Sequence, residues 1–267
     1  MERFKKGIKV LFIIMAFIFA NVIIDVFTGA TIPSLIAGIK DEDILKASDY
    51  IVYGLLVGQL IKLTILYFYI EKRDKTYRNQ LDRPFILNNK IINPIPLIGI
   101  GLGTIGFGQI FTNLIIKIFA GTDQLNSAME LLEKAFSAKG PVDGVIILLV
   151  VAIGAPLVEE LLFRGVLFEE IKKVSSVKAT IFLTALIFGF YHFNIIQSPN
   201  TFFMGLVLAY VYYKTKSIKA SIIVHATNNI LAMIPFLDQG LSPIGICIYT
   251  VFLIIGIYSL ITLRKQS

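Results

Sequence analysis

Residues 145–168 read VIILLVVAIGAPLVEELLFRGVLF, an apolar run from Val145 to Phe168 interrupted by only three charges, Glu159, Glu160 and Arg164. Roughly 20 apolar residues suffice for a helix to cross a bilayer, so this stretch reads as a membrane span. Each of the three charges opposes insertion by about 2.5–3.5 kcal/mol on translocon scales, so a plain anchor would not carry them. They need partners, and they mark a functional segment. Pro156 lies just before the acidic pair, removes an amide donor and frees the carbonyl of Ala152, so a kink is expected there, eased by Gly154.

The composition extends this reading to the whole chain. Of 267 residues, 56% are hydrophobic and 16% charged, and the mean hydropathy is +0.78. That balance excludes a soluble domain of ordinary surface and fits repeated spans. The expected fold is all-α: one polytopic helical bundle over 1–267, with no separate soluble module. The net charge of +7 is spread over short loops and orients the protein in a bilayer, so no nucleic-acid partner is implied. The single cysteine, Cys247, excludes an intrachain disulfide and a thiolate metal cluster. Its apolar surroundings mark it as a small buried or lipid-facing residue. The basic start followed by the apolar run Val10 to Val26 resembles a signal peptide, but no small-x-small site ends the run, and an uncleaved first span is expected.

Hydropathy suggests about eight spans, near Ile8–Thr28, Tyr50–Ile70, Pro94–Phe119, Gly144–Phe168, Ala179–Ile196, Phe202–Tyr213, Ala220–Phe236 and Pro243–Leu263. Basic residues cluster in alternate loops: Arg3, Lys5, Lys6 and Lys9; Lys72, Arg73, Lys75, Arg78 and Arg83; Lys172, Lys173 and Lys178; Lys214, Lys216 and Lys219; Arg264 and Lys265. The positive-inside rule then places both termini in the cytoplasm. Ser127 and Glu130 fit a capping box, and Ala128, Leu131, Leu132, Ala135 and Phe136 follow at helical spacing. A short amphipathic helix at the outer interface is expected there, packed on the bundle or gating substrate access. Lys62 falls mid-span and needs an acidic group or a wet cavity, whereas Asp25 and Lys117 read as interfacial.

Helical geometry separates the two glutamates. Glu160 and Arg164 are four residues apart and share a face, so Arg164 neutralises and orients Glu160. Glu159 points elsewhere and is left for another task, as a base if water reaches it. The only two histidines, His192 and His225, also lie in apolar segments, with Phe188 four before the first and Asn229 four after the second. Rise per residue puts His225 about 9 Å, Glu159 about 15 Å and His192 about 20 Å from the cytoplasmic boundary, which permits a common site.

These residues resemble the CPBP intramembrane proteases, the type II CAAX prenyl endopeptidases and their bacterial relatives, also called the Abi family. The resemblance rests on Glu159-Glu160-x-x-x-Arg164, Phe188-x-x-x-His192 and His225-x-x-x-Asn229 in order, within 145–236. It implies an eight-span endopeptidase in which Glu159 and His192 activate a water, and His225 and Asn229 stabilise the oxyanion. Glu160, Arg164 and Phe188 support them. No cofactor is required in that mechanism. Zn2+ on Glu159, His192 and His225 is the alternative, and the glutamate-activated water is favoured because no helix carries His-Glu-x-x-His. The implied partners are the lipid bilayer and a membrane-associated peptide or protein substrate. The Ile-, Lys- and Asn-rich composition suggests a bacterial plasma membrane. A non-catalytic immunity factor or scaffold, and a cation-coupled transporter, are the competing readings.

Overall fold

A computed structural model describes residues 2–77, 93–136 and 138–266, with side chains over 4–76, 93–133 and 138–264. Arg78 and Arg83 of the second basic loop lie outside the described residues, as do the side chains of Arg3, Lys265, Ala135 and Phe136. The described chain is helical, without strands: α1 (Glu2–Ile39), α2 (Ile51–Tyr77), α3 (Pro94–Ile118), α4 (Asp123–Phe136), α5 (Pro141–Lys172), α6 (Val177–Tyr191), α7 (Gln197–Thr215), α8 (Ile218–Ala232) and α9 (Pro243–Gln266). A 3-10 turn, Ile44–Tyr50, leads into α2. The expected all-α membrane bundle is what the chain forms.

Among the described residues, five segments are long and apolar enough to cross a membrane: Phe4–Ile39, Ile44–Thr76, Pro94–Ile118, Pro141–Lys172 and Pro243–Arg264. α6 is apolar but has 15 residues, a rise of about 22 Å against a hydrocarbon core of about 30 Å. α7, at 19 residues, is long enough but not apolar enough, and α8, at 15 residues, falls short in both length and apolarity. These three carry much of the polar interior, and a helix that faces other helices need not be apolar all round. Several expected boundaries shift. α1 runs through Pro33 to Ile39 rather than stopping at Thr28. α6 ends at Tyr191, not Ile196, so His192 caps a helix instead of lying inside one. α7 starts at Gln197, and α8 stops at Ala232, ahead of Pro235.

The core is built around α5, with Val158, Leu162, Phe163, Val166 and Leu167 buried against Leu66 and Ile70 of α2 and Leu208 of α7. α3 packs along α9, where a Cβ built on Gly103 would stand 2.6 Å from the Gly256 Cα. Absence of side chains at that crossing allows the close approach. Large hydrophobics elsewhere, such as Phe12, Phe19, Ile254 and Tyr258, face outward, as lipid contact requires.

α2 and α5 run parallel and are tied at three levels. Tyr53 donates to Asp143 Oδ1 (2.9 Å), Gln59 to the Val150 carbonyl (3.0 Å) and Arg73 to the Gly165 carbonyl (2.7 Å). Lys62 finds its acidic partner in Asp25 of α1, with Nζ 2.7 and 3.0 Å from the two carboxylate oxygens. Asp25 is therefore not a free interfacial charge, as its place in the sequence suggested, but the counterion of a buried lysine.

α4 forms where an amphipathic helix was expected, but its start differs. The helix begins at Asp123, and the Thr122 hydroxyl accepts from the Leu125 amide (3.3 Å), so Ser127 lies inside the helix rather than at its cap. Thr122 is one turn earlier and supplies the oxygen that orphan amides need. Leu125 and Ala128 pack on Ile196, and Asn194 Nδ2 reaches the Ala128 carbonyl (3.4 Å). α4 thus sits over the turn that follows His192.

Candidate active site

The acidic pair lies between two irregular segments of α5. Leu149–Gly154 and Leu161–Phe168 are π-helical, and Ala155–Glu160 between them is α-helical. Such widened turns recur at functional sites. The first absorbs Pro156 in a way the α-helical reading missed. In an α-helix the missing proline amide would orphan the Ala152 carbonyl. In a π turn the acceptor lies five residues back, at Val151. Asn229 of α8 donates its amide to that Val151 carbonyl (2.9 Å).

Arg164 and Glu160 meet as their spacing predicts. Arg164 Nη1 donates to Glu160 Oε1 at 2.8 Å, with both side chains fully buried. Arg164 Nη2 donates to the Gly205 carbonyl of α7 (3.0 Å), and the guanidinium lies 5.1 Å from the Phe188 ring centroid. The cation therefore has a carboxylate, a carbonyl and an aromatic face, the set a buried charge needs.

His225 joins the same cluster from α8. Its Nδ1 lies 2.9 Å from Glu160 Oε1. An ionised carboxylate only accepts, so Nδ1 carries the proton and Nε2 is turned to the other glutamate. That Nε2 lies 3.7 Å from Glu159 Oε2. Glu160 is thus committed twice, to Arg164 and to His225. Glu159, 15% exposed at its side chain, faces the one remaining imidazole nitrogen, and its Oε2 has no hydrogen-bond partner within the protein.

His192 approaches differently. It caps α6, and its Nδ1 lies 2.9 Å from the Phe188 carbonyl. A carbonyl accepts, so again Nδ1 is the donor and Nε2 is left as a base. Phe188 is the common surface. Its ring packs edge-on against Phe163 (4.8 Å), His192 (5.0 Å) and His225 (5.9 Å). The residue after His192, Phe193, has φ +45°, a conformation that costs a non-glycine residue about 1–3 kcal/mol and clusters at functional sites.

Glu159, Glu160, Arg164, Phe188, His225 and Asn229 therefore converge on one region of α5, α6 and α8. His192 joins them through Phe188 rather than by a bond to Glu159. A zinc set of Glu159, His192 and His225 does not assemble: among the described residues no three His, Cys, Asp or Glu side chains group to hold a metal ion.

Two contributors escaped the sequence reading. Gln59 was an unremarked amide inside the apolar run Tyr50–Ile70, and Arg73 was read only as a loop charge. A lone amide at mid-span was the available signal for Gln59, because it needs a partner in hydrocarbon.

Residues 141–231, about a third of the chain, match a protein-family model described as "Type II CAAX prenyl endopeptidase Rce1-like". Searches among curated proteins and among solved structures find no match. The matched segment spans α5 through most of α8 and contains all three motifs in order. Over this segment the chain is similar to the type II CAAX prenyl endopeptidases, in line with the CPBP resemblance of its three motifs.

Proposed function

We propose that this protein is an intramembrane endopeptidase that hydrolyses a peptide bond in a membrane-associated protein or peptide, with Glu159 as the carboxylate that activates water. The observation carrying this reading is the inequivalence of the two glutamates. Glu160 Oε1 is engaged by both Arg164 and His225, whereas Glu159 Oε2 is buried, unpartnered and 3.7 Å from His225 Nε2. A carboxylate so placed accepts a proton from a water held between it and an imidazole.

The chemistry follows from these positions. The water oxygen attacks the carbonyl carbon while its proton passes to Glu159, and the family resemblance assigns His192 to assist that activation. His225, held by Glu160 through Nδ1, presents Nε2 to the oxyanion when it carries a second proton. Two carboxylates, one guanidinium and that imidazolium sum to zero charge. Asn229 keeps one amide hydrogen on Val151 and has a second to offer. Collapse of the tetrahedral species breaks the C–N bond, and the proton on Glu159 goes to the leaving amine. The products are a carboxylate and an amine.

The bundle is placed in a bacterial plasma membrane with eight spans and both termini cytoplasmic. The parallel course of α2 and α5, each with lysines at its C-terminal end, supports that orientation. A peptide pheromone, bacteriocin precursor or membrane-anchored regulator fits such a site better than a prenylated protein, since bacteria generally lack that modification.

The test is cleavage of a membrane-tethered peptide by wild type, Glu159→Ala and His192→Ala, with protein level followed in parallel. Both variants are expected to accumulate normally and to lose cleavage by about 10²–10⁴-fold. Undiminished cleavage by both would remove the mechanism. The buried Glu160–Arg164–His225 network would also suit a non-catalytic immunity factor or scaffold, and full protection or partner binding by Glu159→Ala would establish that reading instead.

A further inference from the structure

We infer that Gln59 of α2, outside the matched segment, is a positioning residue for the acidic pair, acting by holding the first π segment of α5 in its widened form. Three observations meet here. Gln59 is buried, and its Nε2 donates to the Val150 carbonyl at 3.0 Å. That carbonyl also accepts from the Ala155 amide, the bond that closes the π turn. The next carbonyl, Val151, is held from the other side by Asn229. Two side-chain amides from two helices thus grip consecutive carbonyls of one irregular turn.

Gly154 completes the fit. A Cβ built there would stand 1.7 Å from Gln59 Oε1, so the amide occupies the space that any other residue at 154 would fill. The second π segment has a matching tie, from Arg73 to the Gly165 carbonyl at 2.7 Å. Glu159 and Glu160 lie between the two. Converting a π turn to α-helix shifts the following residues by about one position, a rotation of about 100° relative to the preceding helix. The direction in which Glu159 faces is therefore set by whether the first segment stays open. Gln59 and Asn229 hold it open, and in hydrocarbon no water competes for those carbonyls.

The consequence for turnover rests on the proposed role of Glu159. The positioning does not, and it is measurable without a substrate. The chain has two histidines, so selective 15N-histidine labelling in lipid nanodiscs gives two imidazoles, assigned by the loss of one set in His192→Ala. His225 reports the acidic pair through its Nδ1 bond to Glu160. In Gln59→Leu the His225 nitrogens are expected to shift toward values of an imidazole without that carboxylate. Gly154→Ala, which crowds Gln59 away, should give the same shift. Tyr53→Phe, which removes another α2–α5 bond away from the π turns, should give none. Unchanged His225 signals in both Gln59→Leu and Gly154→Ala would overturn the inference. So would an equal shift in Tyr53→Phe, or loss of folded protein in both test variants while Tyr53→Phe folds, because Gln59 would then serve general stability.

Discussion

Arg164 and Glu159 are five residues apart in the chain and opposite in consequence. Arg164 has no exposed surface and holds Glu160, the Gly205 carbonyl and the Phe188 face together. Removing it strands a buried carboxylate, which costs about 3–5 kcal/mol. Arg164→Ala is thus expected to lower the thermal midpoint in detergent sharply or to abolish accumulation. Glu159→Gln should leave the midpoint close to wild type, because Oε2 makes no hydrogen bond that the amide would lose. Equal destabilisation by both would contradict the division of labour between the glutamates. This division was legible in the sequence, since the four-residue spacing of Glu160 and Arg164 puts them on one face. The arrival of His225 between the two carboxylates was not, because the register between α5 and α8 is fixed by packing that no single helix encodes. Nor was the place of His192 at a helix cap, since a helix ending at Tyr191 rather than Ile196 depends on the Asn194 and Ser198 hydrogen bonds of the following turn.

At the scale of the element, α5 is a helix whose irregularities aim its side chains. Pro156 was visible as a break, yet the break takes the form of a π turn in which Asn229 replaces the missing donor at Val151. A proline that lacks its amide only where another helix supplies one is a matched pair. Pro156→Ala would restore a backbone donor and let the segment close into a regular α-helix. The variant is expected to be at least as stable as wild type and to cleave more slowly, by about 10²-fold, the cost of a misplaced catalytic group. Thermal unfolding and cleavage rates on the same preparation check this, and unchanged cleavage would argue that the π turn does not set the pose. α4 shows the opposite case. Its amphipathic spacing was readable, but its cap at Thr122 and its seat over the turn after His192 depend on α3 ending at Ile118 and on Ile195 and Ile196 coming within reach.

Across the whole molecule, the apolar composition and the alternation of basic loops were enough to give an all-helical membrane bundle. They were not enough to show which spans carry the load. α5 runs through the centre of the core, and α2, α6, α7 and α8 each present it with a hydrogen-bonding or aromatic group. Lys62 and Asp25 illustrate the limit: two charges with no motif between them become a pair only when α1 and α2 lie side by side. The orientation has a simple check in the single cysteine. Cys247 is exposed in the first turns of α9, the end opposite the basic Arg264. A membrane-impermeant maleimide should label it from outside intact cells, while fluorescent fusions at both termini should report the cytoplasm. Protection of Cys247 from outside, together with labelling in inverted vesicles, would reverse the topology.

The central claim, that Glu159 serves hydrolysis of a membrane-tethered chain, is tested most directly by comparing the membrane proteome and released peptides of cells carrying wild type with those carrying Glu159→Gln at equal protein level. The account requires at least one membrane-associated protein or peptide to persist uncleaved in the variant, with its cleavage product missing. Identical profiles in the two strains, with the substrate-processing signature intact in the variant, would contradict it.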